Sequence, residues 1–415
     1  MAEARPLLSL DDALLRLVAG AAPHRIAQTE ALSTFDALGR VLAQDVLATL
    51  NVPPEDNTSM DGYALRVADV TCSGTVLPVS QRIPAGVVGH ALQPGTAARI
   101  FTGGQVPAGA DAVVMQEQSE AVPAEGFGAV RINTLPERGQ WIRRRGEDVQ
   151  QGAAVLHTGT RLTPQALGLA ASVGAGQLTV LRRPRIAIFS TGDELMMPGD
   201  PLRPGASYNS NRFVLRGLAQ AAGCNFTDLG IVPDRLDATR AALRQAAQAH
   251  DLIVTCGGVS VGDEDHLKPA AQAEGHIEHW QLAIKPGKPL AYGSIRRADG
   301  SAALLVGLPG NPVSSFVTWL LAVSTVLRTL QGLPTALPTG LALRADFDWT
   351  KPDKRREFLR VRFNATGGLD VFANQSSGVL TSAVWADGLV DNPPSHAIHR
   401  GDSVRFLPLA ELVAR

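Results

Sequence analysis

Ser190-Thr191-Gly192-Asp193-Glu194 places two hydroxyls, a glycine and two carboxylates in five consecutive positions. Gly257-Gly258-Val259-Ser260 offers backbone N–H groups without side-chain cover, and Asp263, Glu264 and Asp265 follow closely. Hydroxyls and bare amides bind oxyanions. Carboxylates beside a bound phosphate imply a divalent cation between them, because the like charges otherwise repel. Mg²⁺ is the expected ion, with Glu194, Asp234 and Asp265 as its ligands or as acid–base groups. Asp234 also reads as a simple turn or helix-cap residue ahead of Leu236. A third turn, Leu308-Pro309-Gly310-Asn311-Pro312, opens a helix whose positive end favours an anion, with Asn311 as N-cap and Pro312 as the first helical residue.

Lys285 and Lys288 stand three apart in AIKPGKP (283–289), stiffened by two prolines, which suits an oxyanion held by converging cations. The segment is not a phosphate-binding loop of the GxxxxGK[ST] type, because Pro289 occupies the hydroxyl position. Gly174-Ala175-Gly176 lacks the third glycine of a dinucleotide fingerprint. His276 and His279 have no supporting carboxylate pattern and read as ordinary histidines. Thr58 and Asp61 have the spacing of a helix capping box, and 143–148 (RRRGED) has the look of a solvated charged face.

These residues need elements to hold them. Formal net charge is −1, from 38 basic and 39 acidic residues, so a general nucleic-acid surface is not expected. Three scattered cysteines and a charged start without an apolar leader fit a reducing, cytoplasmic address. The uncharged run 313–327 is short and diluted by serine and threonine, so it reads as a core helix. Ser9 and Asp12 cap an N-terminal helix that stops near Gly20. Short β-formers punctuated by Gly and Pro fill 50–137. From Arg185 strands at 186–189, 226–232, 252–256 and 304–306 alternate with helices at 211–222, 236–249 and after Asn311. That alternation predicts a doubly wound parallel α/β domain with a site at its carboxyl strand ends. A linker at 333–338 leads to a small C-terminal β domain.

Taken together, the ordered segments NTSMDGYA (57–64), RIFTGG (99–104), IRRRGED (142–148), FSTGDEL (189–195), LGIVPD (229–234), GGVSVGDED (257–265), AIKPGKP (283–289), LPGNPVSS (308–315), REFLRV (356–361) and NQSSGVLTS (374–382) resemble the molybdopterin molybdenumtransferase family, the MoeA-type enzymes related to the gephyrin E domain. The resemblance spans essentially the whole chain. It implies insertion of molybdate into adenylated molybdopterin with Mg²⁺-assisted release of AMP. It implies a discontinuous linking domain (1–49 and 138–182), an inserted mainly β domain (50–137), an α/β molybdopterin-binding domain (183–332) and a C-terminal β domain (333–415). By carry-over, Asp61, Asp148, Glu194, Asp234 and Asp265 are catalytic. Thr102, Ser190, Thr191, Gly192, Asp193, Gly257, Gly258, Ser260, Pro309, Gly310 and Asn311 bind substrate. Lys285, Lys288, Ser314, Arg360 and Ser377 hold molybdate. It further implies a homodimer in which Asp61 and Thr102 reach the partner's site. Asn209 departs from an aspartate often seen there, and His266 from an aromatic. A lone adenylylating enzyme and a non-catalytic dimeric scaffold are the alternatives, and the extra motifs around Asp61, Asp148 and Arg360 with the full carboxylate and lysine set argue against both.

Overall fold

The computed structural model describes residues 7–259 and 266–414. The chain divides into two units: Ala31–Val180, and the flanking stretches up to Glu30 and from Leu181 onward.

The flanking unit is built on a six-stranded sheet. Its order is Asn225–Val232, Arg185–Thr191, Leu252–Cys256, Ala302–Leu308, Pro289–Arg296, Gly275–Gln281. The first four strands run parallel. Side chains alternate between two cores with the period of a strand. Ile186, Ile188, Leu252, Val254 and Val306 enter the core under helices Ser210–Ala221 and Pro312–Leu330. Ala187, Phe189, Ile253 and Leu305 enter the other, under Leu236–Ala249 and Leu267–Glu274. With both faces covered, every residue of Leu252–Cys256 is buried, as an apolar five-residue run requires.

The four strands read from the sequence are parallel as expected, and two further strands make the sheet mixed. Pro289–Arg296 and Gly275–Gln281 extend it antiparallel. The connection from Arg296 to Ala302 is too short for a crossover helix and turns at Gly300 (φ +83°), so only an antiparallel return is available. His276 and His279 lie on this outer strand, His276 facing Glu278 at 3.4 Å.

The N-terminal helix Leu10–Ala21 is capped by the Ser9 hydroxyl, which accepts from the Asp12 N–H. Leu10, Ala13, Leu17 and Ala21 bury one stripe in the first of these cores, so this helix belongs to the α/β unit rather than with residues 31–49. The long helix Pro312–Leu330 passes the length and apolarity test for a membrane span, yet 89% of its most apolar window is buried within the protein. Beyond it, Arg356–Phe363, Gly388–Asn392, Ser403–Pro408 and Leu341–Arg344 form the C-terminal sheet. The short strand Ile284–Lys285 joins the same sheet, parallel to Arg356–Phe363. The lysine segment is thereby tied to the C-terminal β layer.

In the Ala31–Val180 unit, residues 37–48 and 149–180 share one core although 49–148 intervene. The intervening part carries a six-stranded sheet in the order Ala112–Met115, Gly62–Leu65, Ala97–Ile100, Thr75–Ile83, Ala129–Ile132, Ser119–Val122. The capping-box expectation for Thr58 and Asp61 fails. Thr58 lies in strand Asn57–Thr58, paired with Ile142–Arg143, and its hydroxyl bonds to Met60.

The antiparallel extension depends on Gly293, where a Cβ would sit 2.0 Å from the His276 carbonyl oxygen. Gly293→Ala is expected to lower unfolding stability by about 1–3 kcal/mol, read as a shift of the urea midpoint.

Candidate active site

A cavity of about 980 Å³ opens at the carboxyl ends of the parallel strands. Its wall includes Ser190, Thr191, Gly192 and Glu194 from the first turn, Asp234 from the next strand end, and Gly257 and Gly258 from the third. Pro309, Gly310, Asn311 and Ser314 come from the long helix's start, Lys285 and Lys288 from the proline-flanked loop, and Ser377 from the C-terminal domain. The strands converge these groups because each ends at the same level of one sheet.

Two close approaches demand glycine. Gly257 has φ +94°, and a Cβ there would stand 2.6 Å from the Thr191 carbonyl oxygen. Gly192 has φ +141°, and a Cβ would meet the Glu194 carboxylate at 2.5 Å. The Glu194 side chain therefore folds over a bare backbone.

The helix starts are fastened beneath the wall. Asn211 Nδ2 donates to the Gly310 carbonyl (2.7 Å) and to Cys256 Sγ (2.9 Å). The Cys256 thiol donates in turn to the Pro309 carbonyl at 3.3 Å, which also accepts from the Ser315 hydroxyl. Burial pushes the Cys256 thiol above its ordinary range, so it stays protonated in this structural role. Asn311 occupies the N-cap position without a side-chain capping bond and lines the cavity instead.

Charge is distributed unevenly among the cations. Lys285 Nζ lies 3.2 Å from Glu357 and 3.5 Å from Asp353. Glu357 is almost wholly buried and also accepts from the Trp349 indole and the Asp353 N–H. Arg355 lines the cavity, clamped on Asp353 through both its Nε and Nη2. That clamp holds the Asp353 carboxyl well below the usual range. Lys288 is exposed and has no ion pair among the described residues.

Two expected residues, Asp193 and Arg360, stand off the cavity wall. Asp193 does not line the cavity; its Oδ1 accepts the Asp234 N–H at 3.2 Å and so orients that turn. Arg360 is also off the wall, 1% exposed, donating to Ser382 Oγ and to the Phe358 and Ser376 carbonyls. Burial pushes its pKa down to about 10. It sits on an inward-facing position of strand Arg356–Phe363, whereas Arg355 precedes the strand and reaches the cavity. Ser260 and Asp265 lie outside the described residues.

Asp61, Thr102 and Asp148 belong to the Ala31–Val180 unit. Asp61 Oδ1 accepts both the Thr102 N–H and its hydroxyl, each at 2.8 Å. These bonds, the backbone one first, hold the Asp61 carboxyl below its ordinary pKa. Asp148 is exposed, its N–H donating to the Val52 carbonyl.

Sequence reading passed over Asn209 and Asn211 as site residues, although both line the cavity. Asn209 Nδ2, Asn211 Oδ1 and Ser190 Oγ are buried without hydrogen-bond partners among the described residues. The polar run Tyr208-Asn209-Ser210-Asn211 ahead of a helix was the available signal.

Comparison with known proteins follows the same outline. Residues 8–174 match the model of the MoeA N-terminal region (domain I and II). Residues 187–329 match a probable molybdopterin binding domain, and 342–409 the MoeA C-terminal region (domain IV). The chain is 40% identical over 305 residues to a molybdopterin molybdenumtransferase of Haemophilus influenzae, covering 74% of each. To that of a Nostoc species it is 36% identical over 393 residues, covering 92% of this chain and 89% of the relative. The crystal structure of a molybdopterin biosynthesis moeA protein from Pyrococcus horikoshii OT3 superposes with a TM-score of 0.81 at 27% identity, covering 97% of this chain and 99% of that one.

Gly257→Ala is expected to cost about 1–3 kcal/mol through backbone strain and to weaken ligand binding in the cavity, measured by thermal unfolding with a parallel titration. Thr102→Val removes the hydroxyl bond to Asp61 and is expected to raise the Asp61 pKa toward its unfolded value. A lowered folded-state pKa adds stability above the unfolded pKa that is lost as pH falls through the folded one, so the variant narrows that acidic window. A carboxyl-detected NMR titration checks the direction.

Proposed function

Because the chain belongs to the molybdopterin molybdenumtransferase family and acts in molybdenum cofactor biosynthesis, we propose that its large cavity takes adenylated molybdopterin together with molybdate, inserts molybdenum into the dithiolene and releases AMP. One observation supports this most: a single cavity collects Lys285, Lys288 and Arg355 together with Glu194 and Asp234. An anion-only site has no use for the carboxylates, and a metal-only site has none for the cations.

In this reading Lys288 carries the charge that attracts molybdate, since Lys285 and Arg355 share the carboxylates of Asp353 and Glu357. Glu357 holds the Lys285 ammonium in place, so little side-chain entropy is lost when the oxyanion arrives. Ser314 and Ser377 add hydroxyls at the helix start, where the Val313 N–H donates to the Ser377 carbonyl. Arg360 acts from behind the wall, its guanidinium bonded to the Ser376 carbonyl beside Ser377. The turns at Thr191–Gly192 and Gly257–Gly258 bring bare backbone to the adenylyl phosphate.

Glu194 and Asp234 are oxygen donors of the kind Mg²⁺ takes, and Asp265 is the third ligand expected from sequence. Bound there, Mg²⁺ would offset charge on the phosphate and ease cleavage of the anhydride. Asp61 and Asp148 are assigned to the site of a partner copy in a homodimer, with Thr102 keeping Asp61 ionised.

Purified protein is expected to release AMP from adenylated molybdopterin only when molybdate and Mg²⁺ are present; ATP-dependent adenylylation instead would point to the preceding step. Lys288→Ala should reduce turnover by about tenfold or more. Asp61→Asn and Lys288→Ala chains, each impaired alone, should regain activity when mixed into heterodimers, whereas a site confined to one chain predicts no recovery.

A further inference from the structure

The six-stranded sheet of the Ala31–Val180 unit carries a cavity of its own, about 350 Å³, lined by Tyr63, Arg82, Arg99, Phe101, Val122 and Phe127 among others. Its floor is a cross-strand row: Tyr63 stands opposite Arg99, and Arg99 opposite Arg82. Both guanidiniums lie over one ring, Phe101, at 4.6 Å for Arg99 and 4.8 Å for Arg82. Arg99 is also 5.1 Å from the Tyr63 ring. Phe127 borders the same cavity, 64% exposed and set between Gly126 (φ +70°) and Gly128 (φ +82°).

As sheet architecture this arrangement is unfavourable, because like charges directly opposite on neighbouring strands repel. Stacking on an aromatic face offsets only part of that. Arg82 has neither an ion pair nor a hydrogen bond among the described residues. Arg99 spends its N–H groups on the Gly62 carbonyl (3.0 Å) and Gln116 Oε1 (2.7 Å), which fixes it between Tyr63 and Phe101. Asp61 is engaged by Thr102, and Glu117 accepts from Gln116. The lining then selects the ligand. Two guanidiniums without a carboxylate suit a phosphate or carboxylate group. Phe101, Phe127 and Val122 offer a bare inorganic anion no hydrogen bond, whereas a flat ring stacks on them. A cavity at the small end of the ligand range holds one such molecule and not a peptide. A nucleic-acid strand needs a basic stripe, which one arginine pair on a chain of net charge −1 does not supply.

We infer that Arg82, Arg99, Tyr63, Phe101 and Phe127 form a small-molecule site on this sheet for a planar heteroaromatic ring that carries a phosphate or carboxylate, as a nucleotide or a pterin does. It shares no residue with the large cavity and does not rest on the reaction proposed there. Arg82 supplies the charge, Arg99 and Phe101 the fixed stacked face, and Phe127 a second ring.

The probes are AMP and a fluorescent pterin carboxylate, titrated onto the full chain, with inorganic phosphate as the ring-free control. Arg82→Ala is expected to weaken binding of a ring-bearing probe by about tenfold or more, and Phe127→Ala by about fivefold or more. Both side chains are exposed, so the variants should melt as the wild type does. Arg82-dependent binding of AMP identifies a nucleotide, and of the pterin carboxylate a pterin; either supports the site. Wild-type affinity for both probes in both variants overturns it. So does phosphate binding as tightly as the ring-bearing probes, or no binding of either probe. AMP held in the large cavity instead is recognised by its indifference to Arg82 and Phe127, so this site and the proposed reaction fail separately.

Discussion

The cavity keeps its shape because one buried amide ties two helix starts together. Asn211 stands in the first turn of Ser210–Ala221 and donates to Gly310, immediately before the long helix. Its second bond reaches Cys256, the last residue of the strand between them. Neither helix can tilt away without stranding a buried donor and carbonyl, and such stranding costs more than the bond itself contributes. The Ser315 hydroxyl and the Cys256 thiol close the same knot on the Pro309 carbonyl. Loops that differ widely in sequence position are therefore held to one geometry.

A second constraint sets the electrostatics. The lysine loop is not a free surface segment: Ile284–Lys285 pairs with Arg356–Phe363, and the Arg356 N–H donates to the Ala283 carbonyl. This pairing brings the buried Glu357 beneath Lys285 and the Asp353–Arg355 pair beside it. Gly287 (φ +107°) packs so closely on the long helix that a Cβ would meet the Thr318 hydroxyl at 2.5 Å. The C-terminal domain thus serves the site by fixing where the cations stand, and only Lys288 is left without a carboxylate among the described residues.

Much of this was legible in the chain itself. Helix Leu236–Ala249 and strand Leu252–Cys256 agree to the residue with their sequence reading, because each is decided by local periodicity and clear breakers. The turns carrying Ser190, Glu194, Gly257 and Gly310 were legible for the same reason: glycine and hydroxyl clusters at strand ends are local signals. The antiparallel extension was not, since a strand's direction depends on which neighbour it meets across the sheet. Nor was the exchange of Arg360 for Arg355 at the wall. Five residues apart in one basic segment, they differ because Arg355 precedes strand Arg356–Phe363 and reaches the cavity, whereas Arg360 is buried within the strand.

Composition, order of motifs and period settled the fold class, the positions of the turns and the kind of chemistry, since all three are written in short-range patterns. Tertiary structure decided which donors remain unspent. Asn209 and Asn211 are two residues apart and chemically identical, yet one amide nitrogen is consumed by Gly310 and Cys256 while the other is buried with no partner among the described residues. That difference arises from packing between distant segments, which no local pattern encodes.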